Sequence, residues 1–245
     1  MADVAAKIRL FVAADLGPGA TVALSPDQAH YLFAVMRTGP GAAVAVFNGR
    51  DGEWLAGIVA TGRRSGSLVC STCLGPQTHP PDLWLVFAPI KKARTDFIVE
   101  KATELGCAVI QPVFTRHTNS ERLRPERLRA HAIEAAEQCG GVSVPEIRDA
   151  VRLPALLETW DPGRRIAFCD ETREAAPAAT ALEAAGPGPW AILIGPEGGF
   201  AADETAHLRR LVHVLPVTLG PRVLRADTAA VAALTLWQSV LGDWR

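Results

Sequence analysis

Beyond residue 82 the chain carries short apolar runs that alternate with helical patterns, and this alternation limits the fold more than any other feature. The runs are LWLVFAP (83–89), CAVIQPVF (107–114), RIAFC (165–169), WAILI (190–194) and LVHVLPVTL (211–219). Strands that are apolar on both faces are typical of parallel sheets whose two sides are covered by helices. The sequence therefore predicts an α/β domain with a mainly parallel sheet.

Helical patterns lie between these runs. Residues 95–106 (TDFIVEKATELG) place Phe97 and Ile98 on one apolar face, and Gly106 follows as a candidate C-cap. A second helix is indicated at 125–139, and the alanine-rich stretch 174–185 favours a short third one. The last helix is expected to begin near Asp227.

The N-terminal part has a different pattern, which is mostly that of β-strands. Ser25, Pro26 and Gln28 form the start of one helix, with the serine as N-cap and the glutamine closing a capping box. The stretch 42–60 reads as two strands joined by a glycine-containing turn, and one more strand follows at 66–73. This pattern favours a small β-barrel. The proline-rich segment LGPQTHPPD (74–82) marks the boundary, so we expect domains at 1–74 and 75–245.

Composition narrows the class of protein. The net charge is −1, which argues against a globally basic nucleic-acid coat protein but leaves room for a local basic face. No apolar run approaches the ~20 residues of a membrane span, and the first residues lack the apolar block of a signal peptide. The five cysteines are odd in number, and Cys70 and Cys73 form a lone CxxC without a second pair. We expect a cytoplasmic protein with reduced thiols, no metal site and no membrane contact.

The loop GPEGG (195–199) follows one of the apolar runs directly, at the sheet edge where ligands of parallel sheets bind. It has neither the Lys-Ser/Thr of a P-loop nor the spacing of a dinucleotide loop. Glu197 would repel a phosphate, so the favoured ligand is uncharged or cationic there. The alternative, a tight strand-to-helix turn with an exposed acid, stays open on this pattern alone.

A second loop, GPRVLRADT (220–228), follows the last apolar run. Arg222 and Arg225 could bind a phosphate or the edge of a base. The alternative is that both are ordinary surface arginines and that Asp227 is the N-cap of the last helix. The two loops together could frame one pocket.

Basic residues also crowd the stretch 116–129. Such a cluster could follow a phosphate backbone, but the cluster by itself favours the alternative, a solvated helix face. Arg116, Arg122 and Arg124 belong to this cluster.

Several motifs occur together and in order: EKATELGCAVIQPVFTRH, EQCGGVSVPEI, ILIGPEGGF and LGPRVLRADTA, preceded by RLFV, AHYLFAVMR and VFNGRDGEWLAGI. Over nearly the whole chain they resemble the RsmE family of SPOUT-class methyltransferases, which methylate N3 of a uridine in 16S ribosomal RNA. The resemblance implies a PUA-like RNA-binding β-barrel followed by an α/β domain with a trefoil knot. It also implies S-adenosylmethionine as cofactor, a homodimer, and 16S rRNA, within the small ribosomal subunit, as partner. The candidate RNA contacts that it implies, two of them in the N-terminal part, are Arg9, Arg37, Arg116, Arg122 and Arg124.

The resemblance assigns roles to the two loops. The cofactor would be held by Leu193, Ile194, Gly195, Pro196, Glu197, Gly198, Gly199, Leu219, Gly220, Val223 and Leu224. Arg222 and Arg225 would stabilise the anionic uracil or hold a flanking phosphate, and Asp227 is a candidate base. The family more often has Thr-Glu where this chain has Ala226-Asp227, so the acid here is one methylene shorter.

Three other functions compete with this interpretation. The first is a SPOUT methyltransferase with another RNA target, which the N-terminal motifs disfavour. The second is a non-catalytic RNA-binding or ribosome-assembly protein, which would not bind the cofactor. The third is a small-molecule α/β enzyme, which the β-rich N-terminal part and the basic clusters disfavour.

Overall fold

The structure is a computed structural model that describes residues 6–62, 64–119 and 123–244. The chain divides into two compact units. Unit 1 comprises Met1–His79 together with Ala136–Val144, and unit 2 comprises Pro80–Ala135 together with Pro145–Arg245.

Unit 1 contains a five-stranded sheet with the order β1-β3-β4-β5-β2. Its strands are β1 (Arg9–Phe11), β2 (Thr21–Ala23), β3 (Ala43–Phe47), β4 (Glu53–Thr61) and β5 (Gly66–Gly75). The β1–β3 pair is parallel and the other pairs are antiparallel. The predicted strand pair within 42–60 and the strand at 66–73 are confirmed, whereas the short strand β2 was not predicted. Buried side chains such as Val22, Val46 and Leu68 form the core of this unit.

The helix of unit 1 starts as the sequence predicts. The Ser25 hydroxyl accepts a hydrogen bond from the Gln28 amide, and the Gln28 side chain accepts one from the Ser25 amide. This capping box satisfies two amides that the first helical turn leaves without partners. Helix α1 (Pro26–His30) then continues as a π-helical segment, Tyr31–Val35.

Unit 2 is built on one sheet with the order β11-β13-β10-β12-β6-β7-β8, and β9 pairs with β7. Its strands are β6 (Leu83–Phe87), β7 (Val109–Phe114), β8 (Glu146–Ile147), β9 (Val151–Arg152), β10 (Arg165–Cys169), β11 (Ala176–Pro177), β12 (Trp190–Ile194) and β13 (Val214–Thr218). Every strand pair of this unit among the described residues is parallel. The predicted parallel α/β sheet is therefore confirmed, while the trefoil knot stays a prediction.

The remaining helices are α2 (Lys92–Glu104), α3 (Pro125–Cys139), α4 (Leu153–Glu158), α5 (Ala178–Ala185), α6 (Ala202–Leu208) and α7 (Ala226–Val240). Helix α2 buries Ile98, Val99 and Ala102. The prediction that Phe97 belongs to this buried face is wrong, since its side chain is 39% exposed. Phe97 lies outside the stripe with helical spacing that the buried residues form, and the ammonium of Lys101 lies 5.5 Å from its ring.

Helices α2 and α7 lie side by side and run in the same direction. At their ends, Nε2 of the buried Gln238 donates a hydrogen bond of 2.6 Å to the carbonyl oxygen of Leu105. At their starts, Arg94 lies 3.6 Å from Asp227. The predicted stripe of α7 is buried as well and includes Leu234 and Trp237. Helix α7 is thereby fixed at both ends against α2.

The Gln238 contact provides a test of this helix pair. Gln238→Met removes the donor to the Leu105 carbonyl and the acceptor of the Asp243 amide, which lies 3.1 Å from Oε1. Both lost hydrogen bonds are part-buried, so the free energy of unfolding should fall by about 1 to 2 kcal/mol. Urea unfolding followed by tryptophan fluorescence would measure this loss. The control is Ser239→Ala, whose hydroxyl is on the exposed side of α7; equal midpoints for both variants would contradict the assigned role.

Candidate functional site

A cavity of about 510 Å³ lies at the carboxyl ends of three neighbouring strands of unit 2. These are β13, β10 and β12, which follow one another in the sheet. Because the strands are parallel, the loops that leave them meet at one edge. The cavity walls come from these three loops and from the first turn of α7.

The glycine loop, residues 195–199, connects β12 to α6, and all five of its residues line the cavity. Gly199 has a φ of +69°, and a Cβ atom there would lie 2.5 Å from Oε1 of Glu171. Glycine is therefore required here for two reasons: it adopts the left-handed conformation without strain, and it leaves room for the Glu171 side chain. The Gly199 amide donates to the Pro196 carbonyl oxygen at 3.0 Å, which closes the turn.

The second predicted loop, residues 220–228, also contributes to the cavity lining, together with Leu219 before it. Leu219, Gly220, Val223 and Leu224 are all among the lining residues. The Val223 side chain is apolar yet the residue is 68% exposed. Ile194 lines the cavity too, but Leu193 lies in the hydrophobic core of unit 2, as neighbouring side chains of a strand point to opposite faces.

A third loop, residues 170–175, follows β10 and was missed by sequence reasoning, which considered only two loops. Oε1 of Glu171 accepts a hydrogen bond of 2.9 Å from the Phe200 amide, directly beside the glycine loop. Arg173 donates to the Pro221 carbonyl oxygen at 3.0 Å and so joins this loop to the second one. The available signal was the pair Asp170-Glu171 directly after the apolar run RIAFC.

Asp170 and Cys169 line the cavity, but neither is available for chemistry. Burial alone would raise the pKa of the Asp170 carboxyl, but hydrogen bonds from the Thr172 amide and the Arg209 guanidinium outweigh this and hold the pKa below its usual value. Asp170 is thus a charged structural partner of Arg209. Burial raises the pKa of the Cys169 thiol to about 12, so at neutral pH it is not a thiolate nucleophile.

The three candidate catalytic residues occupy different places. Arg222 and Arg225 line the cavity and are exposed. Asp227 lies behind them in the first turn of α7 and is not a lining residue. Its carboxylate accepts a hydrogen bond of 2.8 Å from the Thr228 amide and lies 3.6 Å from the Arg94 guanidinium. Asp227 is also not the N-cap, since Arg225 occupies that position.

Arg94 is a further charged residue beside this site that sequence reasoning did not assign to it. Its guanidinium is 3.5 Å from the carboxylate of Glu197 as well as 3.6 Å from that of Asp227. The sequence shows only that Arg94 belongs to a small basic cluster, with Lys91 and Lys92, at the start of α2. Its two acidic partners lie more than a hundred residues further along the chain, so local patterns could not reveal the contact.

Two of the candidate RNA contacts already form ion pairs with acidic residues of their own units. In unit 1, Arg9 pairs with Glu53 at 2.6 Å and donates to the carbonyl oxygens of Ala136 and Gly141. In unit 2, Arg116 forms a two-bond pair with Asp203, at 2.8 and 2.6 Å.

The other candidate RNA contacts have different surroundings. Arg37 and Arg124 are exposed, and Arg37 has a φ of 53°. Arg122 lies outside the described residues.

The loop after β7 braces the glycine loop from the side. Nδ1 of His117 lies 3.2 Å from the carbonyl oxygens of both Gly198 and Gly199. The Arg116 amide donates to Glu204 at the start of α6. Arg116 and His117 therefore hold the segment that follows β12 in place.

Across residues 6–62, 64–119 and 123–244, no group of three or more His, Cys, Asp and Glu side chains could hold a metal ion. In the same part of the chain, no helix has the length and apolar character that crossing a membrane requires.

Comparisons with known proteins agree with this architecture. Residues 77–238 match the family model of the RNA methyltransferase domain, and residues 24–69 match that of the RNA methyltransferase PUA domain. The chain is 28% identical to a ribosomal RNA small subunit methyltransferase E of Rickettsia conorii, over 92% of this chain and 93% of the relative. It is 30% identical to the protein of that name from Synechocystis, over 95% and 78%.

A solved structure covers almost the whole chain. It is that of a methyltransferase from Legionella pneumophila in complex with its bound cofactor SAM. The two chains are 28% identical and superpose with a TM-score of 0.88, over 96% of this chain and 98% of the other.

The ion pair of the buried Asp170 with the exposed Arg209 generates a pH-dependent prediction. Because the folded-state pKa of Asp170 is depressed, its stabilisation is present above the unfolded-state pKa and is lost as the pH falls through the folded-state value. Asp170→Asn should lower the free energy of unfolding by about 2 to 3 kcal/mol at pH 7. Unfolding curves of both proteins from pH 7 to 3 would measure the difference, which should shrink below about pH 4. A difference that is constant across this range would contradict the charged state of Asp170.

Proposed function

The chain belongs to the family of ribosomal RNA small subunit methyltransferases E, and we propose that it transfers the methyl group of S-adenosylmethionine to N3 of a uridine in 16S ribosomal RNA. The observation that carries the proposal is the cavity that the glycine loop and the loops after β10 and β13 form together. The bound SAM in the Legionella methyltransferase, which has the same fold, supports the choice of cofactor.

The cavity fits the cofactor in size and charge. Its volume of about 510 Å³ is within the usual range for small-molecule sites. Glu171 and Glu197 bring carboxylates to the cavity, which suits a sulfonium cation and opposes a nucleotide phosphate. Ile194, Leu219 and Leu224 offer apolar contacts for the adenine ring, and the glycine loop offers backbone groups to its polar parts.

The bound cofactor supplies an activated methyl group, and the chain has to supply a reactive nitrogen. N3 of uracil carries a proton, so it becomes a good nucleophile only when that proton leaves. Arg222 and Arg225 line the cavity and can stabilise the negative charge of the deprotonated ring. The Asp227 carboxylate already contacts the Thr228 amide and the Arg94 guanidinium. We therefore propose that water accepts the N3 proton and that Asp227 is not the base.

The RNA must present an accessible base. N3 lies on the Watson–Crick edge, so the target uridine has to be unpaired or flipped out. We propose that residues 1–74 hold the RNA and residues 75–245 carry out the transfer. Arg37 and Arg124 are exposed and suit backbone contacts, whereas Arg9 and Arg116 are occupied inside their units.

We also propose that the protein acts as a homodimer, in the cytoplasm, on RNA within the small ribosomal subunit. The dimer follows from the family resemblance, which implies cofactor pockets near the dimer interface. An exposed Val223 at the cavity supports it, since a second copy would cover this apolar side chain.

Mass spectrometry of nucleosides tests the function directly. Small-subunit rRNA from cells without this gene should lack 3-methyluridine, and the wild-type gene should restore it. The purified protein should bind S-adenosylmethionine in calorimetry. An unchanged 3-methyluridine content would contradict the RNA target. If the purified protein does not bind S-adenosylmethionine, the result would instead support a non-catalytic RNA-binding or ribosome-assembly protein.

The proposed role of Arg222 in the reaction can be tested separately from cofactor binding. Arg222→Ala should lower kcat by about 10²- to 10³-fold, because it removes a stabilising charge from the reacting uracil. The dissociation constant for S-adenosylmethionine should change by less than about threefold, or under 1 kcal/mol. Single-turnover methylation and calorimetry would measure the two effects. Arg210→Ala is the control, since that arginine is exposed and lies outside the cavity lining; equal loss of turnover and cofactor affinity in Arg222→Ala would contradict its assignment to the RNA.

A further inference from the structure

Arg94 is placed between the two loops that were predicted to hold the cofactor. It lies in the first turn of α2, and its guanidinium NH1 is 3.5 Å from Glu197 Oε1 and 3.6 Å from Asp227 Oδ2. Glu197 belongs to the glycine loop after β12. Asp227 begins α7 directly behind the loop after β13. One guanidinium therefore connects both sides of the cavity.

Arg94 also separates two like charges. Because both carboxylate oxygens are within 3.6 Å of one nitrogen, they are no more than about 7 Å apart. The Asp227 side chain is only 19% exposed, so solvent screens it less than a free surface acid. The Glu197 side chain is 45% exposed, so water screens part of the repulsion between the two carboxylates. Loss of the guanidinium should therefore weaken the hold on the glycine loop at the start of α7.

We propose that Arg94 is a positioning residue that holds the glycine loop against the start of α7 and so shapes the cavity for the cofactor. Arg94 does not line the cavity and acts through its two acidic partners. Both contacts are made by the one nitrogen NH1, so a lysine, which also presents a single charged nitrogen, should replace the arginine in large part. This inference rests on the proposed function, since it concerns the S-adenosylmethionine site.

The experiment compares the dissociation constant for S-adenosylmethionine in the wild-type chain and five variants by calorimetry, and one of them is Asp227→Asn alone, which the coupling requires. Arg94→Met should weaken binding by about tenfold or more, and Arg94→Lys by no more than about threefold. Arg94→Met combined with Asp227→Asn should bind more tightly than Arg94→Met alone, because the repulsion is gone. Lys101→Met is the matched control: it removes the Lys101–Glu104 ion pair from the same helix and should leave the affinity unchanged.

The outcomes separate the inference from the proposed function. A wild-type chain that does not bind S-adenosylmethionine would overturn both. Wild-type affinity in Arg94→Met would overturn the inference alone, as would a double variant that binds no better than Arg94→Met. The coupling between the two substitutions is the decisive readout, since general destabilisation would make their effects add. If Arg94→Met does not fold, Arg94→Gln, which also removes the charge, takes its place with the same expected coupling.

Discussion

The parallel pairing of α2 and α7 is the constraint on which the site of unit 2 depends. At one end of the pair, the buried Gln238 binds the Leu105 carbonyl oxygen. At the other end, Arg94 meets Asp227. The two contacts are the same number of residues apart on α2 and on α7. Neither helix can therefore slide along the other without breaking one of these contacts. The start of α7, and with it the loop that precedes it, is thereby set over the carboxyl ends of the strands.

The loop after β10 joins the other two sides of the cavity. Because β10 lies between β12 and β13, its loop can reach both neighbours. Glu171 binds the Phe200 amide beside the glycine loop, and Arg173 binds the Pro221 carbonyl oxygen in the loop after β13. Asp170 then ties the same loop to Arg209 at the end of α6. The backbone that faces the cofactor site is therefore held by charged side chains that take no part in the reaction.

Sequence patterns predicted the parts of this structure that depend on neighbouring residues. The capping box of Ser25, the strands of the parallel sheet and the glycine loop all follow from local spacing, and the structure has them. Leu193 lies in the core of unit 2, and a run that is apolar throughout does not reveal which of its side chains face the cavity. Arg94 and Glu171 were missed because their partners lie far along the chain. Such contacts arise from strand order, which local patterns do not encode.

The number of arginines in a stretch of sequence does not show how many of them are free to bind RNA. The chain has 25 basic and 26 acidic side chains, so an arginine-rich stretch can be neutralised by acids that are remote in sequence. Arg116 pairs with Asp203 and Arg9 with Glu53. A guanidinium that is already paired has to break those bonds before it can bind a phosphate, which reduces its contribution to RNA affinity. Among the described residues, Arg222 and Arg225 are exposed at the cavity and form no ion pair, so in the proposed function they can contact RNA without this cost.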